Sequence, residues 1–171
     1  MTKSVLTGKR ILAVDDEPDI LDILREELER YRVDVDTAGS YEEAIQKMHS
    51  FTYDLAILDI MGVRGFELLQ YAMLKGLPTV MLTAHALTLE SLRKAIDLGA
   101  RAYLPKTEMM NIGLFLEDVL TLNYQATWKS LFSKLGDFFG QHFGPEWRKS
   151  EKEFLERFDH ESEVSKPTII E

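Results

Sequence analysis

Residues 10–18 read Arg10-Ile11-Leu12-Ala13-Val14-Asp15-Asp16-Glu17-Pro18, and this stretch decides the fold. The run from Arg10 to Val14 is short, branched and apolar, the pattern of a strand buried on both faces. It stops at two carboxylates. Beyond Pro18, the residues Ile20, Leu21, Leu24, Leu28 and Tyr31 recur at helical spacing, with acids in the first turn where the helix dipole favours them. A buried strand, a charged turn and an amphipathic helix make up the repeating unit of a parallel sheet with helices on both faces.

Working outward, the unit recurs until about residue 122. A weaker strand at Val33 to Asp36 precedes a helix that Ser40 and Glu43 open as a capping box and that runs to about His49. A third run, Leu55 to Leu58, ends at Asp59, and a loop through Gly62 and Gly65 leads into a helix at Phe66 to Leu74. The fourth, Thr79 to Leu82, ends at Thr83, and its helix spans about Thr88 to Leu98 before Gly99. The fifth, Ala102 to Leu104, ends at Pro105 and Lys106, with a fifth helix expected over Met109 to Leu122. The composition then changes. Residues 1–123 read as one α/β domain and 124–171 as a helical C-terminal extension, with helices near Thr127 to Phe139 and Glu146 to Phe158, a break at Gly140 to Pro145 and a frayed end.

Composition narrows the functional classes. Of the 171 residues, 45% are hydrophobic and 29% charged, as in a globular protein with a real core. Twenty Lys and Arg against 29 Asp and Glu give a net charge of -9, which disfavours a broad grip on nucleic acid or on anionic membrane. There is no cysteine, hence neither disulfide nor thiolate chemistry. The polar N-terminal stretch lacks a secretory signal and no apolar run reaches membrane-spanning length, so the expectation is a soluble cytoplasmic protein.

In an open parallel sheet, ligands bind beyond the carboxyl ends of the strands. The residues there are Asp15 with Asp16, Asp59, Thr83 and Lys106. Three carboxylates gathered closely repel one another by several kcal/mol, on the order of 4 per pair at 4 Å and an effective dielectric near 20, unless a cation sits among them. An all-oxygen ligand set suits Mg²⁺ better than zinc. Thr83 and Lys106 add a neutral donor and a cation, an arrangement that grips a tetrahedral anion such as a phosphoryl group. Asp59 is placed to attack phosphorus in line and form an acyl phosphate, in a reaction governed by positioning and charge neutralisation.

Four ordered motifs, Val14-Asp15-Asp16-Glu17-Pro18, Leu58-Asp59-Ile60-Met61, Leu82-Thr83-Ala84 and Tyr103-Leu104-Pro105-Lys106, resemble those of bacterial two-component response-regulator receiver domains, over about residues 8–122. The resemblance implies a doubly wound, flavodoxin-like sheet of five parallel strands in order 2-1-3-4-5 with five helices. It implies that Asp59 accepts a phosphoryl group from a sensor histidine kinase, a phosphotransfer protein or a small donor such as acetyl phosphate. By it, Asp16 binds Mg²⁺ directly and Asp15 through water, with Asp59 and the Met61 carbonyl as further ligands. Thr83 and Lys106 then bind phosphoryl oxygens, and Tyr103 turns inward as the aromatic switch. Such a protein is a phosphoacceptor that catalyses only its own phosphotransfer and dephosphorylation.

Two features depart from the family pattern. Asp59 reaches Gly65 in six steps, two fewer than usual, and Thr107 follows Lys106 where a proline in cis linkage is usual. Two rivals follow from the residues: an inert receiver-like binding module whose short loop cannot seat the metal, and a phosphatase with an aspartyl nucleophile. The second lacks its acid, since Met61 stands two residues beyond Asp59. Beyond Tyr124, seven basic and nine acidic residues give no DNA-binding profile. There, Trp128, Leu131, Phe132, Leu135, Phe138 and Phe139 form an apolar face that must pack on the rest of the chain, in a homodimer seam or against another protein. Output is expected through protein contact by the fourth and fifth helices or by this tail.

Overall fold

The computed structural model describes the backbone of residues 3–165 and the side chains of residues 3–160. Strand β1 (Arg10–Val14) occupies the interior of the sheet, with Ile11, Leu12 and Ala13 fully buried. It pairs in parallel with β2 (Asp34–Ala38) on one side and β3 (Leu55–Leu58) on the other. Then come β4 (Thr79–Thr83) and β5 (Ala102–Pro105), so the five strands lie in the order 2-1-3-4-5. Strands in the middle of such a sheet meet helices on both faces, which is why β3 and β4 are buried at every position. β2, at the edge, buries only Val35 and Ala38 and carries Asp34 and Asp36.

Helices α1 (Pro18–Glu29), α2 (Tyr41–Ser50), α3 (Gly65–Leu74), α4 (Leu89–Leu98) and α5 (Ile112–Thr121) follow the strands in turn. α1 packs with α5, while α2, α3 and α4 pack in succession, giving the two helical layers. The caps expected at Ser40 and Gly99 are made, Ser40 accepting from the Glu43 amide and Gly99 closing α4 at φ +101°; Thr88, expected as the first residue of α4, caps it by accepting from the Ser91 amide.

Some boundaries move. β2 begins at Asp34 and runs to Ala38, because its register matches β1 residue for residue from Arg10 to Val14. The fifth helix does not begin at Met109. A 3-10 helix spans Lys106–Asn111, and α5 begins at Ile112, where Ile112, Phe115, Leu116 and Val119 supply the buried face and Met110 is exposed. No described peptide bond is cis, so the segment at Lys106 and Thr107 is built as this 3-10 turn.

The chain divides into two compact units, Met1–Thr121 and Leu122–Glu171. In the second, Asn123 caps α6 (Tyr124–Phe143), which a tight turn at Gly144 joins to α7 (Glu146–Ser165). The break expected over Gly140 to Pro145 narrows to Gly144 and Pro145. Gly140 stays helical within α6, with Trp147 beside it: a Cβ there would lie 3.4 Å from the indole. α7 also runs seven residues beyond Phe158, and the expected frayed end lies outside the described residues. The apolar face of α6 is covered from within the unit by α7. Trp128 stacks on Phe158 at 6.1 Å, and Phe132 meets Trp147, Phe154 and Phe158 at 5.2, 5.9 and 6.0 Å. Lys129 pairs with Asp159 across the two helices. Among the described residues, no helix is long and apolar enough to cross a membrane.

Candidate functional site

Strand register builds the site. Val14 is paired with Ala38 and Leu58, so the chain leaves β1 and β3 side by side. The Asp59 amide donates to the Val14 carbonyl at 3.0 Å and the Asp15 amide to the Ala38 carbonyl at 3.1 Å, which fixes both backbones at the same edge. Asp15, Asp16 and Asp59 present carboxylate oxygens within 4.8 Å of one another. Asp15 and Asp59 are buried and Asp16 is exposed, so the cluster opens to solvent on one side. Thr83 is paired with Pro105 at the ends of β4 and β5, which brings Lys106 to the same edge.

Lys106 is the cation of the site. Its Nζ lies 2.8 Å from Asp15 Oδ2, 3.0 Å from Glu17 Oε1 and 3.5 Å from Asp59 Oδ1. Burial alone would lower its pKa, but the hydrogen bonds to Asp15 and Glu17 and the charge of Asp59 outweigh that and raise it. Asp59 is pushed up to about 6, first by burial and then by the charge of Asp15, with Lys106 only partly opposing. The pocket thus holds more negative charge than its single lysine neutralises. Oxygen donors alone, clustered and charge-frustrated, fit a hard divalent cation.

The hydroxyls expected in the site are engaged in the adjoining loop. Thr83 is fully buried and its Oγ1 accepts from the Ala86 amide at 3.1 Å. Tyr103 is fully buried as well, and its hydroxyl donates to the Ala86 carbonyl at 2.7 Å and the Thr88 carbonyl at 3.4 Å. Both residues therefore hold the segment between β4 and α4. The side chain of Met61 is exposed at the mouth of the loop after Asp59.

That loop is tight. The Gly65 amide donates to the Ile60 carbonyl at 2.9 Å, Arg64 adopts a left-handed conformation at φ 56°, and Gly65 has no room for a Cβ against the Asp59 carbonyl. Gly62, at φ +86°, packs against Asp16 so closely that a Cβ would lie 2.5 Å from its carboxylate. Two participants were thus missed by sequence reasoning. Glu17 reaches Lys106 only through closure of the fold across 89 residues, a relation no local spacing reveals. Gly62 carried a signal, since a glycine in a shortened loop marks a close backbone approach.

A model of the response regulator receiver domain family matches residues 11–112. The alkaline phosphatase synthesis transcriptional regulatory protein PhoP of Bacillus subtilis is 37% identical over 103 residues, covering 58% of this chain and 42% of that protein. The heme response regulator HssR of Staphylococcus haemolyticus is 33% identical over 133 residues, 75% of this chain and 58% of that protein. The chain thus spans about half the length of these curated relatives. The solved structure of the response regulator TrrA from Thermotoga maritima, in complex with Mg²⁺-BeF, is similar at 34% identity and a TM-score of 0.57, over 65% of this chain and 98% of that one. A CheY-like receiver domain protein from Methanospirillum hungatei gives 29% identity and a TM-score of 0.54, over 75% and 94%.

Proposed function

We propose, from the premise that the chain belongs to the response regulator receiver domain family and is a phosphoacceptor module of two-component signalling, that Asp59 is the acceptor and that its modification switches contacts with other proteins. The observation that carries this reading is the meeting of Asp59 with Asp15, Asp16 and Lys106 at the carboxyl ends of adjacent parallel strands.

A carboxylate oxygen of Asp59 attacks the phosphorus of a phosphohistidine, on a sensor kinase or a phosphotransfer protein, or of acetyl phosphate. A new O–P bond forms as the bond to the donor breaks and the leaving group keeps the electron pair. The acceptor must be ionised to attack; with its pKa near 6 it is so at neutral pH. Asp15, Asp16 and Asp59, with the Met61 carbonyl, would hold Mg²⁺, which supplies charge neutralisation to the transferring group. Lys106 donates to a phosphoryl oxygen from the far side, and Thr83 supplies a hydroxyl donor to another.

Using the Thr83 hydroxyl in this way changes its bond with the Ala86 amide, and Tyr103 holds the Ala86 carbonyl, so the β4–α4 segment is the element through which modification is read. The changed surface then lies on α4 and α5, or reaches the α6–α7 hairpin. The hairpin segment from Tyr124 onward has nine acidic and seven basic residues, which supports output to a protein, or to a second copy of this chain, rather than to nucleic acid. Intact mass spectrometry after incubation with acetyl phosphate and Mg²⁺ tests the reading: one phosphoryl group is expected on the wild type and none on Asp59→Ala. A wild type left unmodified by both acetyl phosphate and a cognate kinase refutes it.

A further inference from the structure

Glu17 follows the acid pair and holds none of the roles above. Its main chain is fixed on both sides: its amide donates to Asp15 Oδ1 at 2.9 Å, and its carbonyl accepts from the amides of Ile20 and Leu21 at 3.0 and 3.3 Å. Pro18 then opens α1. The side chain is different. It is 53% exposed, and its Oε1 accepts from Lys106 Nζ at 3.0 Å. Of the three carboxylates around that ammonium, Asp15 and Glu17 are at hydrogen-bond length, whereas the contact with Asp59, where the phosphoryl group would arrive, is the longest at 3.5 Å.

We propose that Glu17 is a positioning residue that competes with the phosphoryl group for Lys106, holding the ammonium at the rim of the site before phosphorylation and releasing it when phosphoryl oxygens occupy the position beside Asp59. This rests on the reading of Asp59 as acceptor. The Glu17 contact is the one that yields because its carboxylate is half in water and is readily re-solvated. The carboxylate of Asp15 is buried and loses more if left without its cation. Glu17 also stands outside the Asp15, Asp16 and Asp59 cluster, so removing its charge leaves the candidate cation ligands untouched.

The test compares the full-length wild type with Glu17→Gln and Glu17→Ala. Each is titrated calorimetrically with Mg²⁺ alone and then, at saturating Mg²⁺, with beryllofluoride as phosphoryl mimic. Mg²⁺ affinity is expected to stay within about twofold of wild type in both variants. Beryllofluoride affinity is expected to rise by about three- to fivefold in Glu17→Ala, the range of a partly exposed ion pair, and by less in Glu17→Gln, which keeps an acceptor oxygen. Unchanged or weaker beryllofluoride binding in both variants overturns the role of Glu17 while leaving Asp59 as acceptor. A tenfold loss of Mg²⁺ affinity also overturns it, by making Glu17 a metal ligand. A wild type that binds no beryllofluoride overturns the parent reading and this inference with it.

Discussion

Burial and the neighbouring charge of Asp15 raise the pKa of Asp59 to about 6, above the 3.8 of an ordinary aspartate. Between those values the folded chain binds more protons than the unfolded one. Metal-free stability therefore falls as pH rises through this window and stays low above it. Asp59→Asn removes the ionisable group. In the presence of chelator, urea denaturation should show a gain of about 2 kcal/mol at pH 7.5, shrinking as the pH drops below about 6 and gone below about 4. A variant no more stable than wild type at pH 7.5 would mean that the site carries no such frustration. Gly62 makes a second case. A Cβ there meets the Asp16 carboxylate at 2.5 Å, whereas Gly76 has a similar backbone, φ +70°, in open space. Gly62→Ala and Gly76→Ala should each lose about 1 kcal/mol to backbone strain. Only Gly62→Ala should weaken Mg²⁺ binding, by about tenfold, as disturbed support of a metal ligand does. Equal Mg²⁺ affinities by calorimetry would show that Asp16 tolerates the intrusion.

The elements differ in how much of them the sequence reveals. β3 is a run of four apolar residues, and β1 and β4 carry apolar runs, Ile11 to Val14 and Val80 to Leu82, as strands buried on both faces do. The positions that follow β1 and β3 are therefore legible too, which is why Asp15, Asp16 and Asp59 stand out as strand-ending carboxylates in the sequence alone. The 3-10 helix Lys106–Asn111 does not, because Met109 and Met110 extend the helical periodicity of α5 backwards while Met110 in fact lies exposed. The break after α6 was misplaced for a related reason. Glycine costs an isolated helix about 1 kcal/mol, a cost that tertiary packing of α6 on α7, Trp147 beside Gly140 included, overrides here. Between β4 and α4 the decisive bonds come from Tyr103, 17 and 15 residues distant from its acceptors, Ala86 and Thr88. Tyr103→Phe removes that donor and leaves the Ala86 and Thr88 carbonyls with their backbone donors alone, the amides of Thr88 and Leu92, a loss of about 1 kcal/mol. Hydrogen exchange of amides in residues 84–89 should speed up by about fivefold, with β1 and β3 unaffected; unchanged exchange would show that the tyrosine does not hold this segment.

On the scale of the molecule, an acidic chain of net charge -9 combines an α/β unit that carries the chemistry with an aromatic helical hairpin. The apolar face of α6 demanded a partner, and the sequence hid that partner because the aromatics of α7, Trp147, Phe154 and Phe158, are spread among many charges. Phe132 touches all three, and Phe132→Ala should destabilise the hairpin by about 3–5 kcal/mol. Since both tryptophans lie in the hairpin, their fluorescence should report an earlier unfolding transition than the far-ultraviolet dichroism of the whole chain. Coincident, unshifted transitions would show that this core does not hold the hairpin together. The account as a whole depends on one carboxylate. Its most direct test is borohydride trapping after incubation with acetyl phosphate and Mg²⁺, followed by peptide mass spectrometry. Reduction of an acyl phosphate should convert residue 59 alone to homoserine, with none formed when Mg²⁺ is withheld. Homoserine at Asp15 or Asp16, or at no aspartate in the chain, would contradict it.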